Sequence, residues 1–359
     1  MYPLLRKLLF RLDAECSHHL VFSLLRALYR LPGGSRLLRR RVPALPLAVM
    51  GITFPNPVGL AAGLDKNADL APILADFGFG FLELGTVTPR PQPGNPKPRL
   101  FRLPAQRAVI NRMGFNNVGL AQFLNNEYQW ECACLIGINI GKNKDTPLEH
   151  AVDDYLAALR AVYPHADYVT VNISSPNTPG LREMQSQEHL DELLRALKAD
   201  QAALAGIHGR YVPMAVKIAP DLDDSQIAAI AELVLKHGVD AVIATNTTIA
   251  RPGLEQEPLA KQVGGLSGRP LKPLSTAVIR KLYTHLQGKI PIIGVGGIET
   301  ADDAWEKLVA GADLVQIYTV FIYEGPGIVK RILRGLADKV AASGCATLAE
   351  AVAKARHGG

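Results

Sequence analysis

The chain has 359 residues, of which 48% are hydrophobic, 20% charged and 6% aromatic. This composition excludes a disordered or collagen-like chain. Four scattered cysteines (Cys16, Cys132, Cys134 and Cys345) are too few for a disulfide framework, and Cys132 and Cys134 lack the second ligand pair of a zinc site. We interpret all four as reduced thiols. The length fits two or three domains, or one α/β barrel of ~250 residues with an appendage.

Positive charge is concentrated at the start of the chain, although the net charge of the protein is only +6. Residues 1–41 contain nine Lys or Arg side chains against Asp13 and Glu15, and the remainder of the chain is nearly neutral. A nucleic-acid-binding body usually presents a basic face of its own. We therefore expect no nucleic-acid partner and a local role for the N-terminal segment.

Residues 1–41 predict two short amphipathic helices with basic side chains. Leucines recur at helical spacing from 4 to 12 and again from 20 to 28, with a polar break at 17–19. Neither stretch has the ~20 apolar residues that span a bilayer, and no secretory cleavage site follows. We expect this segment to lie on a membrane surface; in the alternative, its apolar faces pack on the main domain. His18 and His19 are interpreted as surface or helix-capping residues.

Residues 42–359 predict one catalytic domain built from eight strand–helix units. Apolar runs rich in β-branched residues alternate with amphipathic stretches, as in parallel strands covered on both faces. The predicted strands are Val58–Ala61, Phe81–Thr86, Leu135–Ile140, Tyr168–Ile173, Met214–Ile218, Ala241–Thr245, Ile290–Gly294 and Leu314–Ile317. The predicted helices lie around 68–77, 117–128, 149–163, 188–205, 223–237, 274–286, 301–310 and 326–341. Eight repeats favour a closed (β/α)8 TIM barrel over an open sheet, with the Pro-rich stretch 89–104 passing over one end.

Polar residues and glycines lie in or just after the carboxyl ends of the predicted strands, where such a barrel carries its chemistry. They include Asp65, Lys66, Thr86, Asn139, Asn172, Ser175, Asn177, Lys217, Thr245, Asn246, Thr247, Gly296, Gly297, Tyr318 and Thr319. The last four follow strands seven and eight, where backbone N–H groups often bind a phosphate. They predict a phosphorylated substrate or a phosphate-bearing cofactor such as FMN.

The reactive side chains at these strand ends exclude several types of reaction and favour others. The set holds no His, Cys or paired carboxylates, which argues against zinc hydrolysis, thiol catalysis and glycosidase chemistry. Asn amides present a donor beside an acceptor and suit a flat heterocycle with N–H and C=O groups. Lys66 would pair with an anionic substituent, and Lys217 would stabilise negative charge on a reduced flavin. In the alternative, Lys217 is a buried lysine paired with a nearby Asp. No metal site is predicted.

Six motifs occur in order along the body of the chain, at Ala61–Lys66, Asn111–Asn117, Asn139–Asn143, Asn172–Pro179, Gly264–Gly268 and Gly294–Gly297. With the basic helical segment, they resemble the class 2, quinone-dependent dihydroorotate dehydrogenases. The resemblance implies an enzyme that oxidises (S)-dihydroorotate to orotate in pyrimidine biosynthesis, using FMN that a membrane quinone reoxidises. It also implies peripheral association with a membrane, and the absence of a transit peptide favours the cytoplasmic face of a bacterial cell membrane.

The resemblance assigns roles to individual residues. It implies cofactor contacts at Ala61, Ala62, Gly63, Leu64, Asp65, Thr86, Asn139, Asn172, Lys217, Thr245, Gly268, Gly297, Tyr318 and Thr319. It implies substrate contacts at Lys66, Asn111, Arg112, Met113, Gly114, Phe115, Asn172, Asn177, Asn246 and Thr247. The catalytic base falls on Ser175, where class 1 relatives use Cys, and Thr178 or a water is a candidate relay for its proton. The loop 176–180 has Pro and Gly at its ends, which is consistent with a lid over the substrate.

Two other interpretations are less consistent with these residues. A flavin-dependent dihydrouridine synthase acting on RNA would share the barrel and FMN, but it would be expected to use a Cys acid and a basic face on the body. A catalytically silent, membrane-associated FMN-binding protein would not need the dense set of Asn, Lys and Ser side chains at the strand ends.

Overall fold

Three helices precede the main domain in the computed structural model, which describes residues 2–126 and 134–357. They are α1 (Tyr2–Leu9), α2 (Ala14–Arg30) and α3 (Gly34–Leu38). The predicted polar break at 17–19 is wrong, because α2 runs through it without interruption. The helix begins earlier because the Asp13 side chain caps it, accepting hydrogen bonds from the backbone N–H groups of Glu15 and Cys16 at 3.0 Å each. The Ser17 hydroxyl bonds to backbone oxygens instead, among them that of Leu9 at 2.7 Å.

Eight parallel strands form a closed barrel, which confirms the predicted (β/α)8 fold. A two-stranded hairpin, β1 (Leu47–Val49) and β2 (Ile52–Phe54), comes before the barrel strands. The barrel strands, in the order in which they pair, are β3 (Val58–Leu60), β4 (Phe81–Val87), β7 (Leu135–Ile140), β8 (Tyr168–Asn172), β9 (Met214–Ile218), β10 (Ala241–Ala244), β12 (Ile292–Val295) and β13 (Leu314–Ile317). Strand β13 pairs with β3 and so closes the cylinder. Each of the eight predicted strands therefore exists, with ends that differ by at most two residues.

Helices surround the barrel and bury their apolar faces against the outside of the strands or against one another. They are α4 (Ala71–Ala75), α5 (Gly119–Asn125), α6 (Ala151–Val162), α7 (Gln187–His208), α8 (Asp224–Lys236), α9 (Lys272–Leu286), α10 (Ala301–Val309), α11 (Thr319–Glu324), α12 (Gly327–Ser343) and α13 (Leu348–His357). Reciprocal side-chain and backbone hydrogen bonds fix the starts of α8, at Asp223, and of α10, at Thr300. Among the described residues, no helix has the length and apolar character needed to cross a bilayer.

The two ends of the barrel are covered differently. The hairpin β1–β2 closes the end at which the strands begin, where the Phe54 ring lies 5.1 Å from that of Phe81. Over the opposite end lies a three-stranded antiparallel sheet made of β5 (Leu100–Leu103), β6 (Ala108–Asn111) and β11 (Gly265–Gly268). The Pro-rich stretch 89–104 leads into β5, in agreement with the predicted excursion. The three-stranded sheet thus covers the end with the strand carboxyl termini without filling it.

Candidate active site

A single cavity lies between the carboxyl ends of the barrel strands and the three-stranded sheet. It brings together most of the residues predicted for the site: Ala61, Ala62, Gly63, Lys66, Thr86, Asn111, Met113, Gly114, Phe115, Asn172, Ser175, Asn177, Lys217, Thr245, Asn246, Thr247, Gly268, Gly297, Tyr318 and Thr319. Residues from seven of the eight barrel strands or their following loops take part, all except those of β7. The predicted cluster therefore exists as a set of side chains around one space.

Four of the predicted site residues do not border the cavity. Asn139 is fully buried behind it, and Leu64 packs in the core. Asp65 is buried, and its carboxyl oxygens accept hydrogen bonds from the backbone N–H groups of Asp69 (3.1 Å) and Leu70 (2.9 Å). Burial, with Asp69 nearby, raises the pKa of Asp65 to about 7. Arg112 turns away to bind Gln262 at 2.8 Å. These residues shape the site without facing its interior.

The amides predicted for the heterocycle form a hydrogen-bonded set on one wall. Asn172 Nδ2 donates to Thr86 Oγ1 at 3.1 Å and to Asn139 Oδ1 at 3.2 Å, and Asn246 Nδ2 donates to Asn172 Oδ1 at 3.3 Å. On the opposite side Asn177 Nδ2 donates to Asn111 Oδ1 at 3.3 Å. Several of these bonds are long, so the amides are held in place and keep capacity for a ligand.

Ser175 is buried on the edge of this wall. Its Oγ accepts a hydrogen bond from the backbone N–H of Asn177 at 3.2 Å, and its own hydroxyl proton meets no acceptor among the described residues. The Thr178 hydroxyl, three residues on, is buried and also lacks a partner within that part of the chain. The backbone N–H of Asn177 holds the Ser175 oxygen in place, and no acceptor in the described parts of the chain takes the hydroxyl proton. Such a hydroxyl is suited to proton transfer.

Arg182 holds the Ser175 loop against the neighbouring loop, a role that sequence reasoning missed. Its guanidinium donates to the backbone oxygen of Ser174 at 3.2 Å and of Thr247 at 2.9 Å, and it pairs with Asp221 at 2.9 Å. The signal was weak, since a lone arginine after a Pro- and Gly-containing loop resembles any surface cation.

Two lysines border the cavity, Lys66 and Lys217, and Lys66 is the one without an ion-pair partner among the described residues. Its Nζ forms no hydrogen bond or ion pair with any residue of the described ranges. Burial, aided by the charge of Arg99, lowers the pKa of Lys66 to about 8. An unpaired, largely desolvated ammonium is a strong attractor for an anionic ligand, because the anion restores the interaction that burial removed.

Lys217 borders the cavity and is also paired behind it. Its Nζ lies 3.5 Å from Glu83 Oε1. The predicted alternative named an Asp as the partner of a buried Lys217, and the structure puts a Glu in that place. Glu83 is itself buried and accepts hydrogen bonds from Asn139 (2.7 Å) and Gln316 (2.7 Å). This carboxylate was missed because it lies in the middle of an otherwise apolar strand, β4.

Backbone N–H groups gather where a phosphate was predicted. Those of Gly296, Gly297 and Tyr318 donate to no acceptor within the described parts of the chain. Gly297 has φ +73°, and a Cβ there would lie 2.5 Å from Lys272 Cα, so only glycine fits. Gly268, at φ +97°, approaches the Arg107 backbone oxygen in the same way. Open donors beside close-packed glycines form a cradle suited to an anion.

The N-terminal helices reach the far end of the cavity. Glu15 and His18 of α2 border it, and Glu15 forms a buried ion pair with Arg99 at 2.7 Å. The interpretation of His18 as a surface or capping residue is wrong, because the early start of α2 turns its half-buried ring inward against Phe22, with centroids 3.9 Å apart. Burial, reinforced by Lys66, lowers the pKa of His18 to about 3. His19 is exposed, as predicted.

Neither a metal cluster nor a disulfide is present among the described residues. No group of three or more His, Cys, Asp or Glu side chains there is arranged to hold a metal ion. Cys16, Cys134 and Cys345 form no disulfide. Cys132, which was predicted to be a reduced thiol, lies outside the described residues.

Comparisons with known proteins show the family of the chain. The family model for dihydroorotate dehydrogenase matches residues 44–340. A dihydroorotate dehydrogenase (quinone) from Thiobacillus denitrificans is 59% identical over 338 residues, which cover 94% of this chain and 100% of that protein. The protein of the same name from Nitrosomonas europaea is 56% identical and covers 96% of this chain and 100% of its own length.

Solved structures show the same fold. A crystal structure of Eimeria tenella DHODH in complex with ferulenol is similar with a TM-score of 0.87 and 39% identity, covering 95% of each chain. The ligand-free type from the same organism has a TM-score of 0.86 and 40% identity, and the match covers 94% of this chain and 98% of that one. The chain therefore belongs to the dihydroorotate dehydrogenase family, in the quinone-dependent class 2, and is an oxidoreductase of pyrimidine biosynthesis.

Proposed function

We propose that this dihydroorotate dehydrogenase binds FMN in the cavity, uses Ser175 as the base toward (S)-dihydroorotate, and delivers electrons to a quinone at a membrane surface. The observation that carries the proposal is the convergence on one cavity of an unpartnered ammonium (Lys66), an uncommitted hydroxyl (Ser175) and a set of amides. Family membership establishes a flavin-dependent oxidation of dihydroorotate. The proposal adds the identity of the flavin, the roles of the residues and the membrane.

The cavity fits FMN on the side of strands β12 and β13. The open N–H groups of Gly297 and Tyr318 would hold the phosphate, and the glycines there leave no room for any Cβ. Lys217 and Thr86 would lie along the ring system, with Asn139 and Glu83 holding them from behind. Bound FMN would supply the acceptor for the hydride from C6 of the substrate and the store of electrons for the quinone.

The substrate carboxylate is matched by Lys66. A paired carboxylate stabilises the ammonium of Lys66, which burial otherwise disfavours. The amides of Asn111, Asn172, Asn177 and Asn246 offer donors and acceptors to the N–H and C=O groups of the ring. These contacts fix the ring plane, so C5 is presented to Ser175.

Ser175 removes the proton from C5 while the hydride departs from C6, and the electron pair of the C5–H bond forms the C5=C6 double bond of orotate. The proton passes to Ser175 Oγ, which must release its own hydroxyl proton at the same time. The unpartnered hydroxyl of Thr178, or a water beside it, accepts that proton. The C4 carbonyl next to C5 acidifies the bond that breaks, and for this reason a weak base suffices.

The N-terminal helices supply the membrane and quinone side. Eight of the large exposed hydrophobic side chains belong to residues 1–41, namely Leu4, Leu5, Leu8, Leu12, Leu20, Leu24, Leu31 and Leu37. Basic residues accompany them, including Arg6, Lys7 and Arg11, as in helices that lie in an anionic lipid surface. We place this surface at the cytoplasmic face of a bacterial inner membrane, with the quinone entering beside Glu15 and His18.

An absorption spectrum of the purified protein tests the proposal. The expected sample is yellow, releases FMN on denaturation, and loses its visible absorbance when dihydroorotate is added without oxygen. A colourless protein that takes up no FMN, or a yellow one that dihydroorotate does not bleach, would contradict it.

A further inference from the structure

We propose that Lys307, a lysine buried outside the cavity, is a positioning residue that braces the Gly296–Gly297 loop for the FMN phosphate and places a positive charge behind it. The inference rests on the proposed function, since it concerns the phosphate end of the same site.

Lys307 lies in α10 and is fully buried. Its Nζ donates to Thr276 Oγ1 at 2.8 Å, to the backbone oxygen of Lys272 at 3.2 Å, and to Ser275 Oγ. Both hydroxyl partners use their own protons elsewhere, Thr276 toward the Lys272 oxygen (2.9 Å) and Ser275 toward the Gly296 oxygen (3.1 Å). Three acceptors therefore face Nζ, and only an ammonium carries three protons to satisfy them.

No carboxylate among the described residues forms an ion pair with this ammonium. The nearby acids are engaged by another lysine, since Lys272 Nζ pairs with Asp303 at 2.8 Å and with Glu306 at 3.2 Å. Burial accordingly lowers the pKa of Lys307 to about 7. A buried cation without a counter-ion is costly unless an anion approaches it. The glycine loop is the anion site to which Lys307 is connected, because its partner Ser275 donates to the Gly296 oxygen at 3.1 Å.

Ser275 connects Lys307 to that loop. A Cβ on Gly296, whose φ is +117°, would lie 2.9 Å from Ser275 Oγ, so the hydroxyl and the loop are in close contact. Lys272, Ser275 and Thr276 all belong to the first two turns of α9, and Lys307 ties them together from below. The loop is thus held against α9 before any ligand arrives, with its N–H groups open.

The alternative is that Lys307 only stabilises the fold. The two roles predict different effects on the binding of a flavin with a phosphate (FMN) and one without it (riboflavin). A general loss of stability weakens FMN and riboflavin to the same degree, because both share the ring system. Loss of a phosphate-positioning cation weakens FMN and leaves riboflavin nearly unchanged.

The experiment measures the competition of FMN and riboflavin for the flavin site of the holoenzyme. Protein with its bound flavin is incubated with known mixtures of FMN and riboflavin until the bound ratio is constant, and the bound flavins are separated by chromatography. For Lys307→Met, which keeps the length and removes the charge, we expect the preference for FMN to fall about tenfold, the scale of one charge-assisted interaction. Ser275→Ala, which breaks the link to Gly296, is expected to lower it about threefold.

Lys281→Met is the matched control, because Lys281 is an exposed lysine of α9, the helix that carries Ser275, and it pairs with Asp224. Its preference should equal that of the unmodified chain. A folded Lys307→Met variant with an unchanged preference would overturn the inference, and if that variant does not fold, an unchanged preference in Ser275→Ala does so. An unmodified chain that binds neither flavin contradicts the proposed function itself, which is a different outcome.

Discussion

The barrel buries most of its leucines, whereas the N-terminal helices expose many of theirs. Leucines of the barrel strands, such as Leu60 and Leu82, are buried, whereas Leu4 and Leu8 of α1 are 68% and 61% exposed. Burial of the barrel leucines stabilises the fold, but the leucines of α1 gain nothing in water. The difference indicates that the barrel leucines stabilise the fold, while the leucines of α1 present an apolar surface to a partner outside the chain.

Polar groups show the reverse contrast. The barrel buries Glu83, Lys217 and Asn139 in a connected set, and the N-terminal segment leaves most of its basic side chains in solvent. Buried polar groups are kept where they hold a site together. This contrast supports the proposal that dihydroorotate is oxidised in the barrel and that the quinone approaches the helices, with the Glu15–Arg99 ion pair joining the two regions.

The largest effect is expected from the barrel side, in Ser175→Ala. Removal of the base should slow flavin reduction by dihydroorotate by about 10²- to 10⁴-fold while FMN stays bound. Anaerobic stopped-flow absorbance measures this step alone. Ser175→Cys is the matched comparison and should retain more activity than the alanine variant, since a thiolate can accept a proton. Reduction at the normal rate in Ser175→Ala would remove Ser175 from the mechanism.

Lys66→Met should raise KM for dihydroorotate by about tenfold to a hundredfold, because a charge-assisted hydrogen bond to the carboxylate is lost. Lys66→Arg keeps the charge and should lose less. In the unmodified chain the pKa of Lys66 is lowered to about 8, so the ammonium is present below that pH and is lost as the pH rises through it. KM should therefore increase above pH 8 in the unmodified chain and stay flat in Lys66→Met. The same pH dependence in both proteins would exclude Lys66 as the cause.

The smallest effect is expected from the helices, in a Leu4→Ser, Leu8→Ser double variant. Partitioning onto anionic vesicles should fall about tenfold, because two partly immersed leucines are lost. Ile207→Ser is the control, since Ile207 is a similarly exposed residue on α7. These substitutions are cleaner than a deletion of residues 1–41, which would leave Arg99 buried without Glu15. Equal binding of the double variant and the control would contradict a membrane role for α1.

The sequence predicted the barrel better than it predicted the surroundings of the site. Strand runs such as 241–244 are apolar on both faces. This pattern lies within a few consecutive residues, so the strand can be predicted from the sequence. The start of α2 was misjudged because Asp13 and Ser17 are both residue types that cap helices, and the sequence does not show that Asp13 caps α2 while the Ser17 hydroxyl bonds to Leu9. The roles of Glu83 and Arg182 depend on partners more than 30 residues away, and no spacing rule along the chain reports such contacts.

The most direct test of this division of labour is to measure both half-reactions in the Leu4→Ser, Leu8→Ser variant. Flavin reduction by dihydroorotate is followed first, without oxygen, and reoxidation by a quinone held in vesicles is followed second. We predict an unchanged rate of reduction and a slower reoxidation. Slowing of both steps together, or of neither, would contradict the assignment of the two reactions to two regions of the molecule.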